Sequence, residues 1–245
     1  MAFSCDEVVD VHTHILPGID DGPATLAGSL ALGRCYARLG ITRVICTSHY
    51  IPGTAWAASP EIVVQKMAAV QDCFDDNDVA VTLLPGMEIA FHRKLIERLE
   101  RSELLPLAAS ARYLVEPTFG DGVDGLLATL EILTARGFGI ILAHPERIPT
   151  IQEMVEKVAG FVLDHGVEIQ LNTGSLLGKF GDDSRRTALR LVELGCVQYL
   201  GSDAHDAEAR RPPDATEWQE LEQIVGHDQL RQWCCVNPAG LVGER

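Results

Sequence analysis

The chain reads as an α/β protein with seven β/α units closing, or nearly closing, into a barrel, and three observations lead there. Short apolar, β-branched runs alternate with longer amphipathic stretches along the whole sequence, and strands that alternate with helices build a mostly parallel sheet. The length, 245 residues, is long for an ordinary domain and normal for one β/α barrel. Hydrophobic residues make up 47%, which supplies a large core, and no repeat, low-complexity tract or Gly/Ser linker divides it. One domain over 1–245 is expected. A doubly wound open sheet is the structural competitor.

Strands are expected at 8–13, 43–48, 80–87, 112–116, 139–143, 168–172 and 198–202, where β-branched and aliphatic residues cluster. Helices are expected at 25–39, 60–76, 125–136, 151–165 and 184–194. Gly40, Gly137, Gly166 and Gly195 each follow a helical pattern, where a left-handed C-terminal cap sits. Ser59-Pro60-Glu61 reads as an N-cap followed by proline at the first helical position. The segment 206–217, DAEARRPPDATE, is polar and proline-containing, and reads as a loop before a last helical region.

Composition excludes some functions. A formal net charge of -15 argues against nucleic acid or an anionic membrane as partner, since either wants a basic face. The first ten residues hold no apolar stretch long enough for a signal peptide, and no later run could cross a bilayer. The seven cysteines are scattered, with no C-x-x-C, which points to reduced thiols in a cytoplasmic protein. Adjacent Cys234 and Cys235 are expected to be packed rather than reactive.

Of the eight histidines, five fall at the C-terminal ends of expected strands: His12, His14, His49, His144 and His205. Glu88, Glu116 and Asp203 occupy equivalent ends. In β/α barrels those ends gather residues from many strands around one point. In D-V-H-T-H at 10–14, residues two apart project from one face of a strand, so His12 and His14 point together, and Asp203-Ala204-His205 repeats the device. Imidazoles and carboxylates without thiolates suit manganese, iron or zinc, and magnesium less well. Taken singly, each residue is as well explained by a core hydrogen bond or a salt bridge. That explanation weakens when it must hold at eight places on one rim, because burying several carboxylates together is costly unless cations offset them. His92, His165 and His227 lie in or beside helical patterns and read as surface or packing residues. Asp10 either orients a ligand histidine or is structural.

The motifs DVHTHILPGIDDGP (10–23), TSHY (47–50), PGMEI (85–89), LVEP (114–117), LAHPER (142–147), LNTGSLLGKFG (171–181) and GSDAHDAEAR (201–210) together resemble the polymerase-and-histidinol-phosphatase (PHP) superfamily of metal-dependent phosphoesterases. Within it they are most similar to the bacterial protein-tyrosine phosphatases encoded with capsule and exopolysaccharide assembly genes. The resemblance spans nearly the whole chain. It implies a distorted (β/α)7 TIM-like barrel of the PHP type, with three divalent cations, manganese favoured, held by nine ligands. These would be His12, His14, Asp21, His49, Glu88, Glu116, His144, Asp203 and His205, with Glu88 bridging two metals. It also implies that Arg147 and Arg210 hold substrate phosphate, with Arg211 as the alternative to Arg210. Pro117 stands where the family often has an aromatic or other apolar residue. The loop after His49, YIPGTAWAASP, is expected to shape the substrate rim.

The implied reaction is hydrolysis of phosphotyrosine on a protein, by water activated on the cations. By resemblance the target is the tail of a bacterial tyrosine kinase. None of the seven cysteines is followed six residues later by arginine, so the cysteine-phosphatase loop is absent. The alternatives are a PHP enzyme of a small phosphomonoester such as histidinol phosphate and, in another class, a non-catalytic metal-binding or kinase-docking module. Nothing in the sequence sets the oligomeric state.

Overall fold

The computed structural model describes residues 7–118 and 122–243. Among these residues nine strands run in chain order: β1 Val9–Thr13, β2 Arg43–Cys46, β3 His49–Tyr50, β4 Thr82–Pro85, β5 Glu88–Ala90, β6 Arg112–Glu116, β7 Gly139–Ala143, β8 Glu168–Asn172 and β9 Tyr199–Gly201. They form two sheets, β1-β2-β4 and β3-β5-β6-β7-β8-β9, and every pairing is parallel. Two of the seven expected strands thus end early, and each is followed by a further short strand, β3 or β5, just beyond its expected range. The run 43–48 ends where Thr47 turns to β1, its N–H donating to Thr13 O at 2.9 Å. The run 80–87 stops at Pro85, whose missing N–H ends the ladder.

The ends of β1 and β9 meet. Thr13 and Ala204 form a parallel bridge; the His14 N–H donates to Ala204 O at 2.8 Å and the Asp203 N–H to His12 O at 2.9 Å. Both faces of the strands are covered, and the alternation of side chains shows it. Ile140, Leu142, Val44 and Val115 pack in the larger apolar cluster with the helices. Their neighbours Ile141, Ala143, Ile45 and Leu114 pack in a second one with Val9, Val11, Tyr199 and Leu241.

Helices lie between the strands close to where the pattern puts them: Leu26–Leu39, Pro60–Asp75, Val123–Ala135 and Asp182–Glu193. Gly40, Gly137, Gly166 and Gly195 all have positive φ. Ser59 is an N-cap residue with Pro60 following, but its side chain bonds no backbone N–H of the helix. The expected helix 151–165 is two helices, Pro149–Glu153 and Val155–His165, separated at Met154. The loop expected over 206–217 ends sooner: Asp214 accepts from the N–H groups of Thr216 and Glu217, and the Glu217 side chain bonds back, a capping box that starts a helix at Ala215.

No helix among the described residues is long and apolar enough to cross a membrane. Cys35, Cys46, Cys73, Cys196 and Cys234 are free thiols. Cys235 is disulfide-bonded, which corrects the all-thiol expectation; the scattered spacing, with no C-x-x-C, carries no signal for it. Both Cys234 and Cys235 are buried, as expected.

Candidate metal centre

All nine candidate ligands meet at the C-terminal ends of the strands. Their nitrogens and oxygens fall into four overlapping groups: His14, Asp21, His49 and His205; His12, Glu88 and His144; His12, His14 and Asp203; His49, Glu88 and Glu116. His12 Nε2 lies 3.2 Å from His14 Nε2, and Asp203 Oδ1 lies 3.3 Å from His14 Nε2 and 3.7 Å from His12 Nε2. With metal–ligand bonds of about 2.0–2.2 Å, neighbouring ligand atoms stand roughly 3–3.5 Å apart, so this triangle has the size of one face of a coordination polyhedron. Glu88 is buried between the groups. Its Oε2 lies 3.3 Å from His12 Nε2, 3.3 Å from His14 Nε2 and 2.9 Å from His49 Nδ1, and Oε1 is 2.7 Å from His144 Nε2. Oε2 nevertheless has no hydrogen bond of acceptable angle, and neither have His49 Nδ1 and His205 Nε2. Buried acceptors and imidazole nitrogens that converge without bonding one another fit divalent cations.

Three of the imidazoles have their Nδ1 fixed on an acceptor. His14 Nδ1 is 2.9 Å from Asp20 Oδ2, and Asp20, which accepts only, places the proton on Nδ1. His205 Nδ1 is 2.9 Å from the Asp203 carbonyl. His12 Nδ1 is 2.8 Å from Gln170 Oε1, and the amide orientation is set because Gln170 Nε2 donates to Leu171 O at 2.7 Å. In all three, Nε2 is left with its lone pair turned to the cluster, the arrangement that orients metal-binding histidines. His144 Nδ1, by contrast, is buried with no hydrogen bond.

The backbone is shaped around these side chains. His144 and Asp203 leave their strands with φ of 31° and 53°, a left-handed conformation that non-glycine residues rarely adopt outside sites that over-determine it. Gly22 lets the Asp20-Asp21 loop fold over His14, since a Cβ there would meet His14 O at 2.1 Å. Gly201 is equally constrained: a Cβ would lie 2.6 Å from His12 Cβ and 2.8 Å from Gln170 Nε2.

Asp203 Oδ2 is the meeting point of two guanidiniums and an amide. Arg147 donates to it at 2.7 Å, Arg210 at 3.0 Å and the Asn172 amide at 2.9 Å. The Arg147 guanidinium also lies 4.2 Å from the centroid of the Phe180 ring, a cation–π contact. Arg211 turns away, to Glu217 and Asp214, each at 2.8 Å. Of the two neighbours, Arg210 therefore faces the cluster.

Burial works to protonate Glu88, but the imidazoles of His12 and His49 hold its carboxyl well below the usual range. Burial likewise opposes ionisation of Asp203, and the bond to His14 with the charges of His12 and His144 keeps it well below. Asp21, against its burial, is lowered to about 2 by His205. Glu116 goes the other way: burial and the charge of Glu88 raise it. The site is thus a nest of carboxylates and imidazoles that lean on one another for charge balance.

Asp10 does not touch the His12 ring. Its carboxylate accepts from the His12 and Ser202 N–H groups at 3.2 and 3.0 Å and from the Tyr36 hydroxyl at 2.8 Å, so its part is to tie β1 to the end of β9. The residues that do orient rings, Asp20 and Gln170, were not singled out from sequence, nor was Glu146. Glu146 is buried within the His144–Arg147 turn and accepts from the Asn172 N–H at 2.9 Å. The available signal was a polar residue at every second position of β8, Glu168, Gln170 and Asn172, in an otherwise aliphatic strand. His165 and His227 lie outside the cluster, on the Phe161 carbonyl and on Glu222, and His92 is near Tyr50.

Residues 8–243 match the family model described as capsular polysaccharide synthesis, CpsB/CapC. Tyrosine-protein phosphatase YwqE of Bacillus subtilis (strain 168) is 32% identical over 204 residues, 83% of this chain and 79% of its own. Tyrosine-protein phosphatase CpsB of Streptococcus agalactiae serotype III (strain NEM316) is 24% identical over 230 residues, 92% of this chain and 94% of its own. A crystal structure from work on YwqE of Bacillus subtilis and CpsB of Streptococcus pneumoniae, described as metal-dependent tyrosine phosphatases, aligns with a TM-score of 0.83 at 28% identity, covering 93% and 96% of the two chains. Histidinol phosphate phosphatase of Lactococcus lactis subsp. lactis, solved with zinc, L-histidinol and phosphate, shares the fold, with a TM-score of 0.58 at 12% identity over 89% and 92%. With a family model matched over all but the chain ends and a relative aligned over most of both lengths, the chain belongs to the CpsB/CapC family of capsular polysaccharide synthesis.

Proposed function

We propose that the chain is a metal-dependent protein-tyrosine phosphatase acting in capsule and exopolysaccharide synthesis. The observation that carries this reading is the convergence of five imidazoles and four carboxylates on overlapping groups of metal-ligand size, with two arginines at the same carboxylate. The relatives' names, tyrosine-protein phosphatase, supply the substrate class. The fold we read is a single-domain, distorted (β/α)7 barrel of the PHP type, for which the bridge between Thr13 and Ala204 is the supporting contact between first and last strands.

In this reading His12, His14, Asp21, His49, Glu88, Glu116, His144, Asp203 and His205 hold divalent cations, three by family resemblance. Manganese is favoured over iron or zinc on the same ground. When bound, such cations would supply positive charge for the phosphoryl oxygens and a nucleophile drawn from water at neutral pH. Asp20 and Gln170 keep the His14 and His12 protons on Nδ1, so that Nε2 faces inward. Arg147 and Arg210 exchange one bond to Asp203 for charge-assisted bonds to phosphoryl oxygens, their planar forks matching that geometry. The leaving phenolate, with a pKa near about 10, needs only modest help. Buried thiols play no part: Cys46 and Cys234 are pushed far up by burial.

The partner we propose is a phosphotyrosine-bearing protein, the tail of a bacterial tyrosine kinase, met in the cytoplasm; the five free thiols support that compartment, and the Cys235 disulfide is the contrary observation. The test is turnover on a phosphotyrosine peptide, the matching phosphoserine peptide and histidinol phosphate under one metal, with metal content measured on the same sample. Phosphotyrosine is expected to be fastest, with loss on chelation and recovery with manganese. Faster hydrolysis of histidinol phosphate would move the chain to the small-substrate enzymes. Bound metal with no turnover on any of the three would make it a binding module.

A further inference from the structure

The loop after β3 carries an aromatic ring that ligand binding leaves unused. Trp56 lies face to face with His49, ring centroids 5.5 Å apart and planes 8° from parallel. Both nitrogens of His49 face carboxylates, Nδ1 towards Glu88 and Nε2 towards Asp21. The imidazole therefore presents its edge to the cluster and its face to the indole, which stands beside the cluster in a parallel plane. Among the described residues, Trp56 is the one ring other than a histidine in contact with a candidate ligand.

Its exposure sets it apart. Trp56 is 36% exposed, whereas Trp218 and Trp233 are 4% and 2% exposed. An indole left in water at a charged mouth gains little from burial, yet its loop is firmly tied. The Ile51 N–H donates to the Trp56 carbonyl at 2.7 Å. The Trp56 N–H donates to Thr54 Oγ1 at 3.0 Å, and that hydroxyl donates to Ile51 O at 2.8 Å. Tyr50 bridges Ala57 across the same turn. The loop is held by backbone bonds on both sides, and the ring packs on His49 with part of its apolar surface left in water.

We infer that Trp56 is a specificity-determining residue that stacks on the aryl group of an aryl phosphomonoester and so favours it over an alkyl one. The inference rests on the phosphatase reading above. Arg147 reaches the cluster at Asp203, Arg210 at Asp203 and Asp21, and Trp56 flanks it at His49, so a phosphoryl group held among them would have the indole beside its ester oxygen. An aromatic pair of this kind contributes beyond plain burial, whereas an alkyl chain finds no such partner.

The test uses the metal-loaded protein and two non-hydrolysable probes, phenylphosphonate and methylphosphonate, with binding measured by calorimetry for wild type, Trp56→Leu and Trp56→Phe. Trp56→Leu is expected to weaken phenylphosphonate roughly three- to tenfold, the size of an aromatic pair, and methylphosphonate by less than about twofold. Trp56→Phe should keep most of the preference. Phenylphosphonate should also quench the tryptophan fluorescence of wild type and not that of Trp56→Phe, since the other two indoles are buried. Equal weakening of both probes together with a fall in bound metal would mean that Trp56 only shields His49, and would overturn the inference; so would no change in either. Failure of wild type to hydrolyse phosphotyrosine would count against the phosphatase reading alone, because the binding arm does not depend on turnover.

Discussion

The two sides of the cluster are built differently. On the side of β1 and β9, His12, His14 and His205 each have Nδ1 fixed by an acceptor: a glutamine carbonyl, a carboxylate and a backbone carbonyl. On the side of β3 and β7, His49 and His144 have no such partner outside the cluster: their nitrogens face other candidate ligands, Glu88 for both and Asp21 for His49, and the His49 ring stacks on the indole of Trp56. The first side is organised by the chain before any ion arrives. The second depends on the ions for its final order; its Glu116 and His49 are half-buried, whereas the most exposed candidate ligand, Asp21, lies on the first side. Pre-organised ligands lose less freedom on binding, so the first side is expected to bind more tightly and to tolerate change less.

The largest effects therefore fall where the two sides meet. His14→Ala and Glu88→Ala should reduce hydrolysis of a phosphotyrosine peptide to the blank, with native circular dichroism retained. Turnover by both variants after metal reconstitution would break the assignment of the cluster. Next come the orienting residues. Gln170→Leu leaves His12 in place but removes the acceptor for its Nδ1 proton, and should cost on the order of 10- to 100-fold in metal affinity or activity. Arg210→Ala belongs in the same range, roughly 10- to 100-fold in kcat/KM, from the ~1.5–3 kcal/mol of a hydrogen bond to a charged group. It should leave metal content unchanged, which separates phosphate binding from ion binding.

Glu116→Gln probes the less organised side. Glu116 stands 3.8 Å from His49 Nδ1 and 4.0 Å from His144 Nε2, and burial beside Glu88 raises its carboxyl pKa, so it is the acid that gives up its charge most readily. The substitution keeps an oxygen ligand but removes its charge; it should lower activity about tenfold, about 1.4 kcal/mol, when metal is limiting, and excess manganese should restore most of it. A loss as deep and irreversible as that of His14→Ala would erase the distinction between the sides.

What the sequence makes legible follows from geometry. Period two on a strand puts His12 and His14 together, and strand ends bring distant ligands to one rim, so the cluster could be read from spacing and from family resemblance. Choices between adjacent residues could not be read from spacing; Asp21 and Arg210 were named on the resemblance alone. Asp20 and Asp21 are the same residue type on one turn, and only the fold shows that Asp20 orients His14 while Asp21 meets His205 at 3.1 Å. Gln170 carries no charge to draw notice, although a buried amide in an aliphatic strand needs partners. The break at Pro85 and the capping box at Asp214 had local signals in the missing proline N–H and the D-x-x-E spacing. The break at Met154 has none that we can identify.

The smallest effect expected is at Arg211, and it tests the choice between two neighbouring arginines. Arg211 bonds Glu217 Oε2 and Asp214 Oδ2, the residues of the capping box that opens the helix Ala215–Val225. Its work is therefore done at a helix end, in a partly exposed network where such pairs contribute about 0–1 kcal/mol. Arg211→Ala should lower Tm by no more than roughly 2–4 °C, the shift that 1 kcal/mol produces in a domain of this size. The kcat/KM for phosphotyrosine should stay within about twofold, less than the ~1.4 kcal/mol of a tenfold change. The pair of variants must part company, Arg210→Ala losing catalysis at unchanged Tm and Arg211→Ala losing a little stability at unchanged catalysis. If both lose catalysis equally, the two guanidiniums exchange places at the phosphate, and the contact between Arg210 and Asp203 is one of two alternatives.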